Sequence, residues 1–187
     1  TMVKLNKIYT RSGDGGDSGL VDGSRLSKSH ARFAAIGDVD EANATIGFVR
    51  AIAAGGSATD RFLAGVQNDL FDLGADLATP GEVAGALRLS SGRTICLEAE
   101  IDALTEQLGP LTSFVLPGGS EVAARLHMAR TQVRRAERTL VALHASSPVN
   151  VEILKYLNHL SDLLFQLARA ENDMGKADVL WKPGGNA

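Results

Sequence analysis

Apolar residues recur along most of this chain at helical spacing. Leu126, Ala129, Val133, Ala136, Leu140 and Leu143 fall at steps of three and four, one stripe on a helix that turns about 100° per residue. Ile153, Leu154, Leu157, Leu160, Leu164 and Leu167 repeat the pattern. Five helices are expected. The first covers about 26–54, with a bend allowed at Gly37, and the second about 60–78, ending ahead of Pro80. The third covers about 93–108 and stops at Gly109-Pro110. The fourth opens at Ser120 as N-cap, with Glu121 in its first turn. The fifth opens at Pro148 after Ser147, a cap followed by proline at the first helical position. Within the second helix Leu70, Phe71, Leu73 and Leu77 are expected to pack. Residues 81–92 read as a loop, and a weak strand is expected near 3–9. Short connections between long amphipathic helices predict an all-α, five-helix antiparallel bundle with a glycine-rich N-terminal segment.

Composition narrows the classes. A chain of 187 residues suits a single domain, divided as 1–24 (loop segment), 25–175 (bundle) and 176–187 (tail). A net charge of −3 and 5% aromatic content argue against nucleic acid as a partner. Cys96 is the only cysteine, which excludes an intrachain disulfide and a cysteine-based zinc cluster. There is no apolar run of about 18 residues, so no membrane span is expected, and cytoplasmic residence is the default.

The chemistry concentrates in two places. Arg130, Arg134 and Arg138 stand at steps of four, so their guanidiniums share one broad face beside the apolar stripe, with Glu137 on its edge. Arginines at a packing seam need an anion, either a phosphate-rich ligand or carboxylates of a neighbouring helix or subunit. A basic surface with snorkelling stems is the plainer alternative. Thr10–Leu20, TRSGDGGDSGL, has the glycines, hydroxyls and arginine of an anion-binding nest, but no Walker A ending; a floppy tail is its alternative. Lys28 adds a cation suited to phosphate. Asp38, Asp40 and Glu41 crowd carboxylates into four residues, and Asp40 is the chosen buried partner of an arginine. Asn158 and Ser161 interrupt an apolar helix; a buried asparagine there would bind backbone or ligand. Phe114 beside Pro117-Gly118-Gly119 is either core or pocket wall. His127 is the histidine best placed for chemistry and, in a different class of function, would make the bundle a phosphotransfer or nucleotide-sensing module. A non-catalytic trimeric scaffold is a third reading.

IYTRSGDGGDSGL, GDVDEANATIG, QNDLFDLGADLATP, FVLPGGS, LHMARTQVRRAER and YLNHLSDLLFQLAR occur in this order from about Ile8 to Trp181. In that register they resemble the PduO-type ATP:corrinoid adenosyltransferases. The resemblance implies transfer of the 5′-deoxyadenosyl group of ATP to the cobalt of a reduced corrinoid such as cobalamin, giving adenosylcobalamin and triphosphate. It implies a homotrimer with active sites between subunits. ATP would be held by Thr10, Arg11, Ser12, Gly13, Ser18, Gly19 and Lys28, with Arg134, Arg135, Glu137, Arg138 and Asn158. Mg2+ would bridge the phosphates near Glu137. Asp40 and Arg130 match an ion pair across the subunit interface. Phe114 matches the residue that displaces the lower axial ligand of cobalt, and Arg134 the one that meets the leaving charge. A flavin reductase and a B12-dependent mutase are the protein partners so implied. Ser12 and Ser18 stand where the family usually has Thr, Ala42 where it has Leu, and His159 where Arg is common.

Overall fold

The computed structural model describes residues 8–185. Five helices carry it: α1 (Ala31–Arg50), α2 (Ala58–Leu77), α3 (Ser91–Leu108), α4 (Glu121–Ser146) and α5 (Val151–Ala170). A hairpin of β1 (Asp17–Gly19) and β2 (Arg25–Ser27), with Ser18 opposite Leu26, precedes them. The architecture is the expected all-α bundle. Short connections reverse the chain between α1 and α2 and between α4 and α5. α4 packs on both α1 and α5, α2 lies against α1, and α3 lies against α5. No helix among the described residues is long and apolar enough to cross a membrane.

The stripes read from the sequence form the core. Ala129, Val133, Ala136, Leu140 and Leu143 of α4 meet Ala35, Val39, Ala42 and Ile46 of α1 and Ile153, Leu157, Leu160 and Leu164 of α5, all buried. Ala42 is fully enclosed in the core. Tyr156, the largest fully buried side chain, donates its hydroxyl to Asp69 of α2 at 3.0 Å.

Several expectations are corrected. α1 starts at Ala31, not Leu26, because Arg25–Ser27 pair with β1 and His30 caps the helix, its Nδ1 accepting from Arg32 N at 3.1 Å. It runs through Gly37 without interruption. Ser120 caps α4 as read, its Oγ accepting from Ala123 N at 3.1 Å. The cap of α5 is Asn150, not Ser147, and Pro148 lies outside the helix. Asn150 prevails because it serves three groups. Its Oδ1 accepts from Glu152 N, while its Nδ2 donates to Asp76 Oδ2 at 2.8 Å and to Leu89 O at 2.9 Å. Phe71 is exposed, because it sits about 100° off the line of Leu70, Leu73 and Leu77. The strand expected near 3–9 falls outside the described residues except for Ile8 and Tyr9, which are not in a strand.

Candidate active site

The arginine face of α4 opens onto a cleft. Leu111, Thr112, Ser113 and Phe114 of the α3–α4 loop, Arg130 and Arg134 of α4, Ser161, Asp162 and Phe165 of α5, and Trp181 enclose about 700 Å3. A second depression of about 330 Å3 is lined by Arg134, Glu137, Arg138, Val141 and Asn158. Arg134 borders both, so the two depressions lie side by side along the groove of α4 and α5. One end is aromatic and apolar; the other is cationic with a single carboxylate. From Arg130 to Arg138 the groove follows eight residues of helix, about 12 Å.

Arg130, at the aromatic end of this groove, is short of a partner. Burial, and then the neighbouring Arg134 cation, hold the Arg130 guanidinium below its ordinary pKa. Its Nε is buried with no hydrogen-bond partner among the described residues. An incompletely satisfied buried cation is costly in isolation and ready to receive an anion. Arg134 and Arg138 are exposed, and Arg138 Nη1 turns back to Arg134 O at 3.0 Å.

Other expected residues stand differently. Asn158 is exposed, not buried; it lines the cationic end while Ser161, one turn on, is buried and donates to Asn158 O at 2.9 Å. Arg135 turns away from the groove. It pairs with Glu41 and, at 3.4 Å, with Asp38, bracing α4 against α1, because adjacent helical residues point about 100° apart. Asp40 is exposed and makes no ion pair with Arg130 within the chain; it lies on a groove between α1 and α2 with Phe33, Leu70 and Phe71. His159 faces α3, its Nδ1 3.6 Å from Glu98, and does not line the groove. His127 is 3% exposed, its ring 6.1 Å from that of Phe165, and burial followed by the Arg130 charge depresses its pKa.

The N-terminal segment folds on itself. Thr10 and Ser12 hydroxyls bond at 2.8 Å, Arg25 donates to Ser12 O at 2.7 Å, and Lys28 Nζ donates to Gly13 O at 2.8 Å. Ser18 and Gly19 belong to β1, and Arg11 adopts a positive φ of 62°. Val21 N, donating to Ala78 O at 2.9 Å, ties the hairpin to the end of α2. Among the described residues no hydrogen bond joins 10–20 to the α4 groove. One chain thus presents the two expected halves of the site without joining them. Asp162, Phe165 and Trp181 were not anticipated. Helical spacing from Asn158 and Ser161 points to the first two; Trp181, the single tryptophan, has no local signal.

The profile of the cobalamin adenosyltransferase family matches residues 8–171. The chain belongs to this family. It is 49% identical over 189 residues to a corrinoid adenosyltransferase of Mycobacterium tuberculosis, covering 98% of this chain and 97% of the relative. It is 43% identical over 176 residues to the corrinoid adenosyltransferase PduO of Salmonella typhimurium, covering 92% of this chain but 52% of that longer protein. A variant PduO-type ATP:corrinoid adenosyltransferase from Lactobacillus reuteri, solved with cobalamin and ATP, superposes with a TM-score of 0.89 at 36% identity, covering 94% of this chain and 99% of that one.

Proposed function

We propose that this chain is an ATP:corrinoid adenosyltransferase, moving the 5′-deoxyadenosyl group of ATP to the cobalt of a reduced corrinoid. Co(I) supplies the electron pair of the new Co–C bond at C5′. The C5′–O bond breaks, and its electron pair leaves with triphosphate. The observation that carries this reading is the position of Arg134, shared by an aromatic cleft and a cationic depression. A macrocycle needs the first and a triphosphate the second, and the reacting atoms must meet where they join. Cations fixed along α4 before the reaction stabilise charge as it grows on the leaving group, without reorganisation at that moment. Phe114, 76% exposed at the apolar end, is suited to hold the lower ligand and water away from cobalt. Glu137 and Arg138 with Asn158 suit the nucleotide.

A magnesium ion fits this end only as a companion of ATP. Among the described residues no three His, Cys, Asp or Glu side chains gather to hold a metal. Glu137 alone suits an ion that keeps several waters and takes its other ligands from phosphate oxygens. When bound, it would neutralise phosphate charge.

The separation of loop and groove within one chain supports a site shared between copies, with Thr10–Gly19 and Lys28 of one copy facing α4 of the next; a homotrimer is the arrangement the family resemblance implies. Asp40, exposed on its own groove, is then available to Arg130 of another copy. A flavin reductase supplying Co(I), a B12-dependent mutase taking the product, and a cytoplasmic setting belong to the same proposal. The phosphotransfer alternative has little support, since His127 is almost wholly enclosed. The test is direct. Protein mixed with ATP, magnesium and chemically reduced cobalamin should give the light-sensitive alkylcobalt spectrum and release triphosphate in equal amount. Absence of both would overturn the reading.

A further inference from the structure

Phe114 sits on the α3–α4 loop and is 76% exposed. A side chain so placed has its rotamers open, yet the role proposed for it needs one fixed attitude. Its ring contact among the described residues is Trp181, with centroids 6.1 Å apart and planes tilted by 52°. That tilted geometry is attractive between aromatic rings.

The backbone beneath the two rings is tied strand to strand. Leu116 N donates to Val179 O at 2.8 Å, and Trp181 N donates to Phe114 O at 2.7 Å. Val115 and Leu180 form an antiparallel bridge, and Ser113 Oγ donates to Trp181 O at 2.8 Å. A buried cluster anchors both pieces. Arg169 Nε meets Asp178 at 3.0 Å, with both side chains about 5% exposed or less, and Arg169 Nη2 donates to Leu108 O at 3.2 Å. Asn172 Nδ2 donates to Asp178 at 3.1 Å, and Asn172 Oδ1 accepts from Ser120 N at 3.3 Å. Gly119, at φ 105°, leaves room for this; a Cβ there would come within 2.4 Å of Asn172 Oδ1. Leu108 and Ser120 are the two ends of the loop that carries Phe114. The cluster that holds them also holds the start of Val179–Trp181.

We propose that Trp181 is a positioning residue for the corrin end of the site, backing the Phe114 ring and setting its tilt over the cleft. Trp181 is 45% exposed and stands between the cleft and a second depression lined by Leu116, Val179 and Lys182. Loss of the indole would free Phe114 to swing out of the cleft and admit water. Trp181 lies beyond the stretch matched by the family profile, which ends at residue 171. Its proposed role rests on the adenosyltransferase reading.

The experiment uses the full chain with Trp181→Ala, Trp181→Phe, Phe114→Ala and the double Ala variant. The readouts are ATP affinity, the spectrum of Co(II) cobalamin bound with Mg-ATP, and turnover from Co(II) under a mild reductant. Trp181→Ala should lower the four-coordinate fraction and kcat by about ten-fold, with ATP affinity held within about two-fold. Trp181→Phe should restore most of both, and the double variant should be no worse than Phe114→Ala. If Trp181→Ala fails to fold, Trp181→Leu, apolar but not flat, is read in its place. A wild-type four-coordinate spectrum in the Ala or Leu variant would overturn the proposal, as would losses that multiply in the double variant or a Trp181→Phe as impaired as Trp181→Ala. If wild type forms no alkylcobalt product, the adenosyltransferase reading itself fails. If Phe114→Ala loses the spectrum while Trp181→Ala keeps it, that reading stands and only the role of Trp181 falls.

Discussion

Arg130, Arg134 and Arg138 share a face, but their surroundings separate them. Arg130 is half-buried and short of a partner, whereas Arg134 is exposed at the junction of two depressions. Replacing Arg134 by Ala therefore removes no core contact. A charged hydrogen bond is worth roughly 1.5–3 kcal/mol, and more when it strengthens in the transition state, so turnover should fall at least about ten-fold. The unfolding midpoint should stay near wild type. A folded Arg134→Ala enzyme with wild-type kcat would remove this residue from the reaction. His127 leads to a prediction of a different kind. Its folded pKa is depressed below the ordinary value of about 6.5, first by burial and then by Arg130. Above that pH the imidazole is neutral in both states and has no effect. Below it the unfolded chain binds the proton and the folded chain resists, so stability falls as pH drops from about 6.5 towards 5. His127→Phe should flatten that part of a urea-midpoint profile against pH; an unchanged slope would assign the loss elsewhere. The sequence located these residues but not their partners. Arg134 and Arg135 are neighbours in the chain and point about 100° apart, so Arg135 meets Asp38 and Glu41 of α1 while Arg134 faces the groove; the helical period separates the two, but the carboxylates that hold Arg135 lie far away in the chain.

The helices were legible because their signal is local and repeated. The stripe from Leu126 to Leu143 needs only a period near 3.6 to identify its buried face. The hairpin was not legible, since three-residue strands are too short to alternate and their pairing depends on Gly23 turning at φ 84°. The bridge between Val115 and Leu180 joins residues far apart in the chain, which no local pattern encodes. The same limit hid the cap of α5. Ser147-Pro148 carries the stronger local signal, yet Asn150 wins by bonding to Asp76 and Leu89 from another part of the fold. Asp76, 2% exposed, also accepts from Arg88 at 2.6 Å and from Leu89 N at 2.9 Å. Asn150→Ala should therefore cost more than an ordinary cap. A lost cap costs about 1 kcal/mol, and leaving Leu89 O and one Asp76 bond unmade adds about 1–2 kcal/mol. Urea unfolding should register a total of about 2–3 kcal/mol. A loss below about 1 kcal/mol would mean water replaces the amide, and α5 is held by its apolar face alone.

At the scale of the molecule, the two halves of the site pose a geometric problem. The hydrogen bonds of residues 10–20 run to their own segment and to residues 23–28, and Val21 N ties the hairpin to Ala78 O, while the groove lies along α4 and α5. Phe71, 72% exposed, and Asp40 share a groove between α1 and α2, where a second copy would cover the apolar ring. If the site forms between copies of a ring, each site takes its loop from one subunit and its arginines from the next. Two defective variants can then rescue each other. Lys28→Ala impairs the loop half and Arg134→Ala the groove half. Co-expressed in equal amounts and mixed at random, they should leave about one site in four with an intact loop facing an intact groove. Activity of the whole mixture should return to about a quarter of wild type, although each variant alone is nearly inactive. Mixed trimers isolated through two different affinity tags, one on each variant, should show about a third, since each such ring has one intact junction. If loop and groove of the same chain form the site, every site carries one defect and isolated mixed oligomers stay as inactive as the parents. That outcome would require 10–20 to fold back onto α4 of its own chain when ATP binds.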